Sequence, residues 1–338
     1  MKGRLVVKDR YQGRAAAALV VDGRLEDVLI DPPEGADPLP GRIVRAIADR
    51  PIKGLGGQFL RLPDGAQGFL RNGPNLPPVR AVDVQVSGFA EPGKAVPVSH
   101  KLLFKGRFAI LTPGAPGINV SRQIRDEDRR DALQALVADR FADVTGLILR
   151  SAAQYADDLD IVNDISALCD EQVAAGLGEA GKTAQWLTDG VGAHRHADIE
   201  WLTEETQISH SFRGHEIEDM IAAIRQPFVR LKTGSAYIEP TRALVAVDVN
   251  TDGDTSPAAG LKANLALCLD LPRQLRCRGL GGQIVIDFAP FPKKNRRTVE
   301  QTLRRAFKAD VIETSAVGWT PLGHFELQRK RARLPLGS

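Results

Sequence analysis

Three oxygen-bearing side chains stand at the ends of two apolar runs. Asp248 and Asn250 close Ala243-Leu244-Val245-Ala246-Val247-Asp248-Val249-Asn250, and Asp287 closes Gly282-Gln283-Ile284-Val285-Ile286-Asp287. Both runs are short, rich in Val and Ile, and introduced by turn-prone or polar residues, the pattern of a strand covered on both faces. Alternation puts Asp248 and Asn250, two apart, on one face. If the runs are neighbours in a sheet, Asp287 joins them. Hard divalent cations take carboxylate and amide oxygens and keep several waters, so the trio has the composition of a Mg²⁺ site, with Mn²⁺ as a substitute and room for a substrate phosphate. The plainer reading is that an Asp at a strand end serves a turn or caps a helix.

The elements that must position these residues are legible from periodicity. Residues 4–8 and 15–30 read as two or three strands with turns at Gly13 and Gly23, and the Pro-rich stretch 31–38 marks a change of unit. Short strand-like pieces follow at 42–48, 57–62, 67–70, 81–86 and 95–104, separated by Gly and Pro, which predicts a small OB-type barrel. Phe59 and Phe69 are either core residues of that barrel or surface rings on which bases stack. Helices are expected over 126–141, 158–177, 215–225, 261–276 and 298–307, with strands over 144–150 and 234–238. His194 and His196 read as a surface loop pair without a third ligand. In the loop 251–257, Asp252 and Asp254 could enlarge the metal site, but Gly and Asp are also what a turn needs. The basic run Lys293-Lys294-Asn295-Arg296-Arg297 is either a solvated face or a clamp on phosphates beside the Asp287 strand.

Composition bounds the function class. The chain has 338 residues, 26% charged and 43% hydrophobic, which fits two or three folded units, and a net charge of +3 leaves any nucleic-acid surface local. Cys169, Cys268 and Cys277 form no CxxC pattern, so neither a disulfide framework nor zinc is expected, and the thiols should be buried and free. The start has no signal-peptide pattern, and no run is long enough to cross a bilayer. A cytoplasmic protein without a membrane partner is expected.

The segment 243–288, ending Leu-Arg-Cys-Arg-Gly-Leu-Gly-Gly-Gln-Ile-Val-Ile-Asp-Phe, resembles the catalytic core of the bacterial ribonuclease E/G endoribonucleases, and 106–124 and 321–331 are similar to other parts of that family. The resemblance implies a mixed α/β fold. A ribonuclease-H-like unit (1–37, returning over 191–221) would be split by an OB-fold RNA-binding domain (38–107) and a shortened 5′-sensor-like region (108–190). A DNase-I-like catalytic domain (222–335) would follow. In the family, the residues matching Asp248, Asn250 and Asp287 are catalytic and hold Mg²⁺, which assigns Asp248 and Asp287 here as metal ligands and Asn250 as the residue orienting water or phosphate. Phe59, Phe69 and Lys94 match the RNA contacts of the barrel. Arg150-Ser151 matches an Arg-Thr pair that grips the 5′-monophosphate, with Ser keeping the hydroxyl. Lys293, Lys294 and Arg296 would contact phosphates flanking the cleaved bond. The implied function is metal-dependent endonucleolytic cleavage of single-stranded RNA, in RNA processing or decay. A metal-activated water would attack in line and leave 5′-phosphate and 3′-hydroxyl ends. The alternative is a non-catalytic RNA-binding or ribosome-associated relative. A nucleotide or sugar-phosphate enzyme has no phosphate-binding Gly loop to support it. The chain departs from the family in the acids of 251–257 and in lacking the zinc-link cysteines, which leaves the oligomeric state open.

Overall fold

Arg4–Tyr11 (β1), Arg14–Val21 (β2) and Arg24–Ile30 (β3) form an antiparallel meander. Its turns are Gln12-Gly13 and Asp22-Gly23, all four residues at positive φ, the mirror-image turns whose twist matches paired strands. The computed structural model describes all residues except 1–2, 34–37, 50–55, 74–75, 92, 179–180, 182 and 337–338, so part of the Pro-rich break expected at 31–38 lies outside the described residues. The chain divides into two compact units, one made of Met1–Pro33 with Thr203–Ser338 and the other of Glu34–Leu202.

The second unit begins with the barrel. Ile43–Ala48 (β4), Gly57–Arg61 (β5), Gln67–Arg71 (β6), Ala81–Val86 (β7) and Val96–Ser99 (β8) run in the order β4-β5-β6-β8-β7. β7 closes back on β4, and β6 lies parallel to β8, an OB-like arrangement. Val44, Ala46, Leu60, Leu70, Val84 and Val98 fill it. The piece expected as one strand over 95–104 is two, because Phe104–Lys105 (β9) pairs instead in a second sheet with Ala109–Leu111 (β10), Ile118–Val120 (β11) and Leu147–Leu149 (β12). Glu127–Arg140 (α1) starts where Asp126 accepts a hydrogen bond from Arg129 N at 3.1 Å, and it buries Leu133 and Val137 beside Ile161, Ile165 and Leu168 of Asp158–Ala174 (α2). Gln185–Trp186 (β13) extends the barrel sheet at β4. Ala193–Glu200 (α3) corrects the expected loop: His194 and His196 are two apart on a helix and face different ways, and the His196 ring meets Trp201 edge-on at 6.3 Å.

Returning to the first unit, Thr206–Ser209 (β14) pairs parallel with β1, and Ile217–Arg225 (α4) packs its Ile217 and Ile221 against Val7, Ala18 and Val28. The remaining strands are Phe228–Arg230 (β15), Ser235–Pro240 (β16), Val245–Asn250 (β17), Gly282–Asp287 (β18), Thr314–Trp319 (β19) and Phe325–Arg329 (β20). They make one sheet in the order β15-β16-β17-β18-β20-β19. β17 and β18 are parallel, and the connection this demands is Ala259–Arg278 (α5), a 20-residue helix. With Arg296–Lys308 (α6) it covers one face, where Val245, Val247, Val249, Ile284 and Ile286 bury against Leu267, Leu271 and Leu303. The other face is open at Asp248, Gln283 and Asp287, so the two runs are covered on one face and not on both. The apolar residues between the acids misled the expectation: Ala246 and Val285 are half-buried on the open side.

Buried charge ties α5 to β3 and to the end of β20. Arg276 of α5 pairs with Glu26, Asp27 and Asp310, while Arg329, itself 0% exposed at its side chain, forms an ion pair with Asp310 at 2.6 Å. Cys268 and Cys277 are buried and free, their thiols pushed up to about 12 by desolvation, whereas Cys169 is half-buried. No helix among the described residues is long and apolar enough to cross a membrane. Asp310 compensates two interior guanidinium groups, so Asp310→Ala should lower unfolding stability by about 3–5 kcal/mol, read from denaturant midpoints; a loss below about 1 kcal/mol would show that the network is dispensable.

Candidate active site

Asp248 and Asp287 are register partners at the carboxyl ends of adjacent parallel strands, so their side chains stand on the same open face about one strand spacing, roughly 4.8 Å, apart. Asn250 is on that face too, and its Nδ2 donates to Asp248 Oδ2 at 3.0 Å. The three residues singled out from sequence are therefore brought together. No lysine or arginine among the described residues pairs with either carboxylate; the nearest cationic candidate is His324, whose Nε2 lies 3.7 Å from Asp287 Oδ1.

Two features hold this end of the sheet. Gly234, at φ +74, lets β16 pass Asn250 so closely that a Cβ there would lie 2.3 Å from the Asn250 carbonyl oxygen. Asn264 of α5 is fully buried and clamps the backbone just beyond Asp287, donating to the Ala289 carbonyl at 2.9 Å and accepting from Ala289 N at 3.0 Å. Its signal in the sequence is a polar residue on the apolar stripe of α5, beside Ala263, Leu267, Cys268 and Leu271. The neighbouring acids are spent elsewhere: Asp252 accepts from Ser235 and pairs with Arg230 at 2.6 Å, and Asp254 accepts from Ser256 N at 2.8 Å in its own turn. Backbone and side-chain hydrogen bonds from Ser256 hold the Asp254 carboxyl below its usual range. Lys293 and Lys294 are exposed on the short 3₁₀ turn Lys293–Asn295. Arg296, half-buried at the start of α6, lays its guanidinium over the Trp319 ring at 4.7 Å.

In the other unit, Phe59 and Phe69 are register partners across β5 and β6, with ring centroids 5.1 Å apart. Both point away from the barrel interior, which is filled by their neighbours Leu60 and Leu70. Lys94 is exposed in the loop before β8, its ammonium 2.8 Å from Glu91. Arg150 directly follows β12 with much of its fork engaged: Nη1 donates to the carbonyls of Gly106 at 2.7 Å, Arg107 at 3.2 Å and Ile199 at 3.3 Å, and Nη2 to Glu200 at 2.7 Å. Ser151 beside it is exposed. The acids that follow, Asp157, Asp158 and Asp160, do not take up Arg150; Asp158 pairs with Arg129 at 3.0 Å. Glu200 also takes Lys105 at 2.6 Å. Nothing in the sequence could have found this carboxylate, which lies 50 residues from Arg150.

Residues 104–175 and 177–332 match the profile of the Ribonuclease E/G family. The chain belongs to the ribonuclease E/G family. It is 27% identical to ribonuclease G of Salmonella typhimurium (strain SL1344) over 284 residues, covering 71% of this chain and 57% of that protein. It is 28% identical to ribonuclease E of Nostoc sp. over 300 residues, covering 76% and 44%. With ribonuclease E of Escherichia coli (strain K12) the identity is 25% over 402 aligned positions, covering 99% of this chain and 37% of that protein. The chain thus spans 57% of the length of the ribonuclease G proteins it matches.

Glu200 supplies a pH signature for the Arg150 cluster. Burial alone would raise its carboxyl, but the hydrogen bond and charge of Lys105, and then Arg150, outweigh burial and hold it below the ordinary value. A depressed folded pKa contributes stability that is present above the unfolded value of about 4.3 and lost as pH falls through the folded value. Glu200→Gln should therefore destabilise the protein by about 1–3 kcal/mol at pH 7. The gap from wild type should close as the pH is lowered below about 4, followed by urea unfolding; a pH-independent gap would remove the ion pairs from the explanation.

Proposed function

We propose that the chain is a metal-dependent endoribonuclease that cleaves single-stranded RNA. The observation that carries this reading is the in-register placement of Asp248 against Asp287, with Asn250 bonded to Asp248, on the open face of a ribonuclease E/G family chain. The donors are hard oxygens free of lysine and arginine partners among the described residues, which suits Mg²⁺ or Mn²⁺. No group of three His, Cys, Asp or Glu side chains placed to hold a metal ion occurs among the described residues, so water and phosphate oxygens would complete the shell.

Asp248 and Asp287 would hold the ion and Asn250 would orient the water or the phosphate. The ion, when bound, supplies positive charge against the scissile phosphate and acidifies an attacking water, for cleavage to 5′-phosphate and 3′-hydroxyl ends. Asn264 keeps the end of β18 in place through Ala289, so that Asp287 does not swing away from Asp248. Lys293, Lys294 and Arg296 offset the charge of flanking phosphates, and the stacking of Arg296 on Trp319 limits its rotamers. Phe59 and Phe69 offer a half-exposed aromatic surface to single-stranded bases, with Lys94 as a cation in the loop before β8. At Arg150 and Ser151 a 5′-monophosphate would have to share the guanidinium with Glu200, so discrimination by the 5′ end should be small. By the same family resemblance, β14-β1-β2-β3 would be a ribonuclease-H-like sheet and β15 to β20 would belong to a DNase-I-like unit.

Asp248→Asn and Asp287→Asn each remove a charged ligand and leave the phosphate-contacting residues intact. Each should lower the rate of Mg²⁺-dependent cleavage of a single-stranded RNA by more than the roughly 10–100-fold that loss of an outer partner costs, with RNA affinity nearly unchanged. Cleavage at the wild-type rate by either variant would refute the assignment. Wild-type protein that binds RNA without cutting it would favour a non-catalytic RNA-binding relative instead.

A further inference from the structure

The open face carries an aromatic pair beside the two carboxylates. Along one row of register partners stand Phe228, Tyr237, Asp248 and Asp287, from β15 across to β18. Phe228 and Tyr237 are 39% and 41% exposed, although the apolar residues next to them, Val229, Ala236 and Ile238, are buried under the helices. Their rings meet edge to face with centroids 5.5 Å apart. Partners in an antiparallel pair bring their Cβ atoms within about 4.5–5.5 Å, so the Tyr237 ring rises directly next to Asp248.

Charge gives the row a direction. Arg230, two residues beyond Phe228 on the same face, lies 5.4 Å from the Phe228 ring centroid with its side chain 70% exposed, and its partner Ser235 is in turn the partner of Asn250. Of the acids on this part of the face, Asp252 pairs with Arg230 at 2.6 Å, and Glu239 lies on the opposite side of Tyr237, opposite Ala246 and away from the carboxyl ends of the strands. A strand of negative charge leaving the Asp248–Asp287 pair toward Phe228 therefore meets Arg230, whose guanidinium it would share with Asp252, and avoids Glu239.

We infer that Phe228 and Tyr237 form a stacking platform for a nucleobase adjacent to the phosphate held at Asp248 and Asp287, and that Arg230 meets the next phosphate. This assignment rests on the nuclease reading of the same site. A phosphate over the acid pair puts the base of its own or the neighbouring nucleotide about one to two strand spacings, roughly 5–10 Å, to the side, which is where the two rings stand. Stacking accepts any base, so the platform would position RNA without reading its sequence.

The test is a coupling measurement without divalent metal. Affinities are measured by fluorescence anisotropy for a short single-stranded RNA and for an oligomer of equal length with abasic riboses, using wild type, Tyr237→Ala, Phe228→Ala and Tyr237→Phe. Tyr237→Ala and Phe228→Ala should each weaken binding of intact RNA by roughly 5- to 150-fold. Both should leave the abasic oligomer almost unaffected, and Tyr237→Phe should retain wild-type affinity. Equal losses on both oligomers, or no loss on either, would overturn the platform. A wild-type dimer that becomes monomeric on Tyr237→Ala with RNA affinity unchanged would also overturn it, the occupant then being a second copy of the chain. Cleavage assayed in Mg²⁺ separates the two readings: base-dependent coupling in a protein that does not cut RNA would sink the nuclease assignment alone, and cleavage without coupling would sink the platform alone.

Discussion

Asp248 and Asp287 hold two negative charges side by side because their strands are parallel neighbours in register. At about 5 Å in water the repulsion is only about 1 kcal/mol, but it grows as substrate excludes solvent, and a phosphate arriving there adds more negative charge. A divalent cation is the simplest way to relieve all of it. The rest of this unit reads as the means of enforcing that juxtaposition. Parallel pairing needs a crossover, α5 supplies it, and α5 also carries the Asn264 clamp on Ala289 and the Arg276 pairs that fasten it to β3. Gly234 removes the side chain that would push β16 off Asn250.

The sheet is asymmetric, and the proposed function rests on that. One face spends its Val, Ile and Leu on the core with α5 and α6. The other keeps carboxylates, an amide and two aromatic rings in contact with solvent. Such a face forfeits the burial of two large side chains, each of which would contribute about 1.5–3 kcal/mol in a core. The barrel of the other unit repeats the device on a smaller scale, with Leu60 and Leu70 inward and Phe59 and Phe69 outward on the same two strands.

Much of this was legible in the sequence, and what was not has physical reasons. Local signals sufficed for the hairpins at Gly13 and Gly23, the five barrel strands, α1, α2, α4 and α6, and the acid-ended strands, because each depends on turn chemistry or on a period within one segment. The parallel register of β17 and β18 is a long-range fact, and so is the edge-to-face meeting of Phe228 with Tyr237. Glu200 reaches Arg150 from α3, a helix that the Gly and His content around 190–196 disguised as a loop. The double covering expected of the Asp248 and Asp287 strands failed because Ala246 and Val285 are tolerated on an open face, and an apolar run cannot by itself tell two covered faces from one.

The claim on which the account turns is that the register pair of acids binds a divalent cation. Metal-free protein titrated with Mn²⁺, with free ion followed by electron paramagnetic resonance, measures this without RNA and without activity. Wild type should take up Mn²⁺ at a site that Mg²⁺ competes for and that disappears in Asp248→Asn combined with Asp287→Asn. Binding that persists unchanged in the double variant, or a wild type that takes up no Mn²⁺, would contradict it.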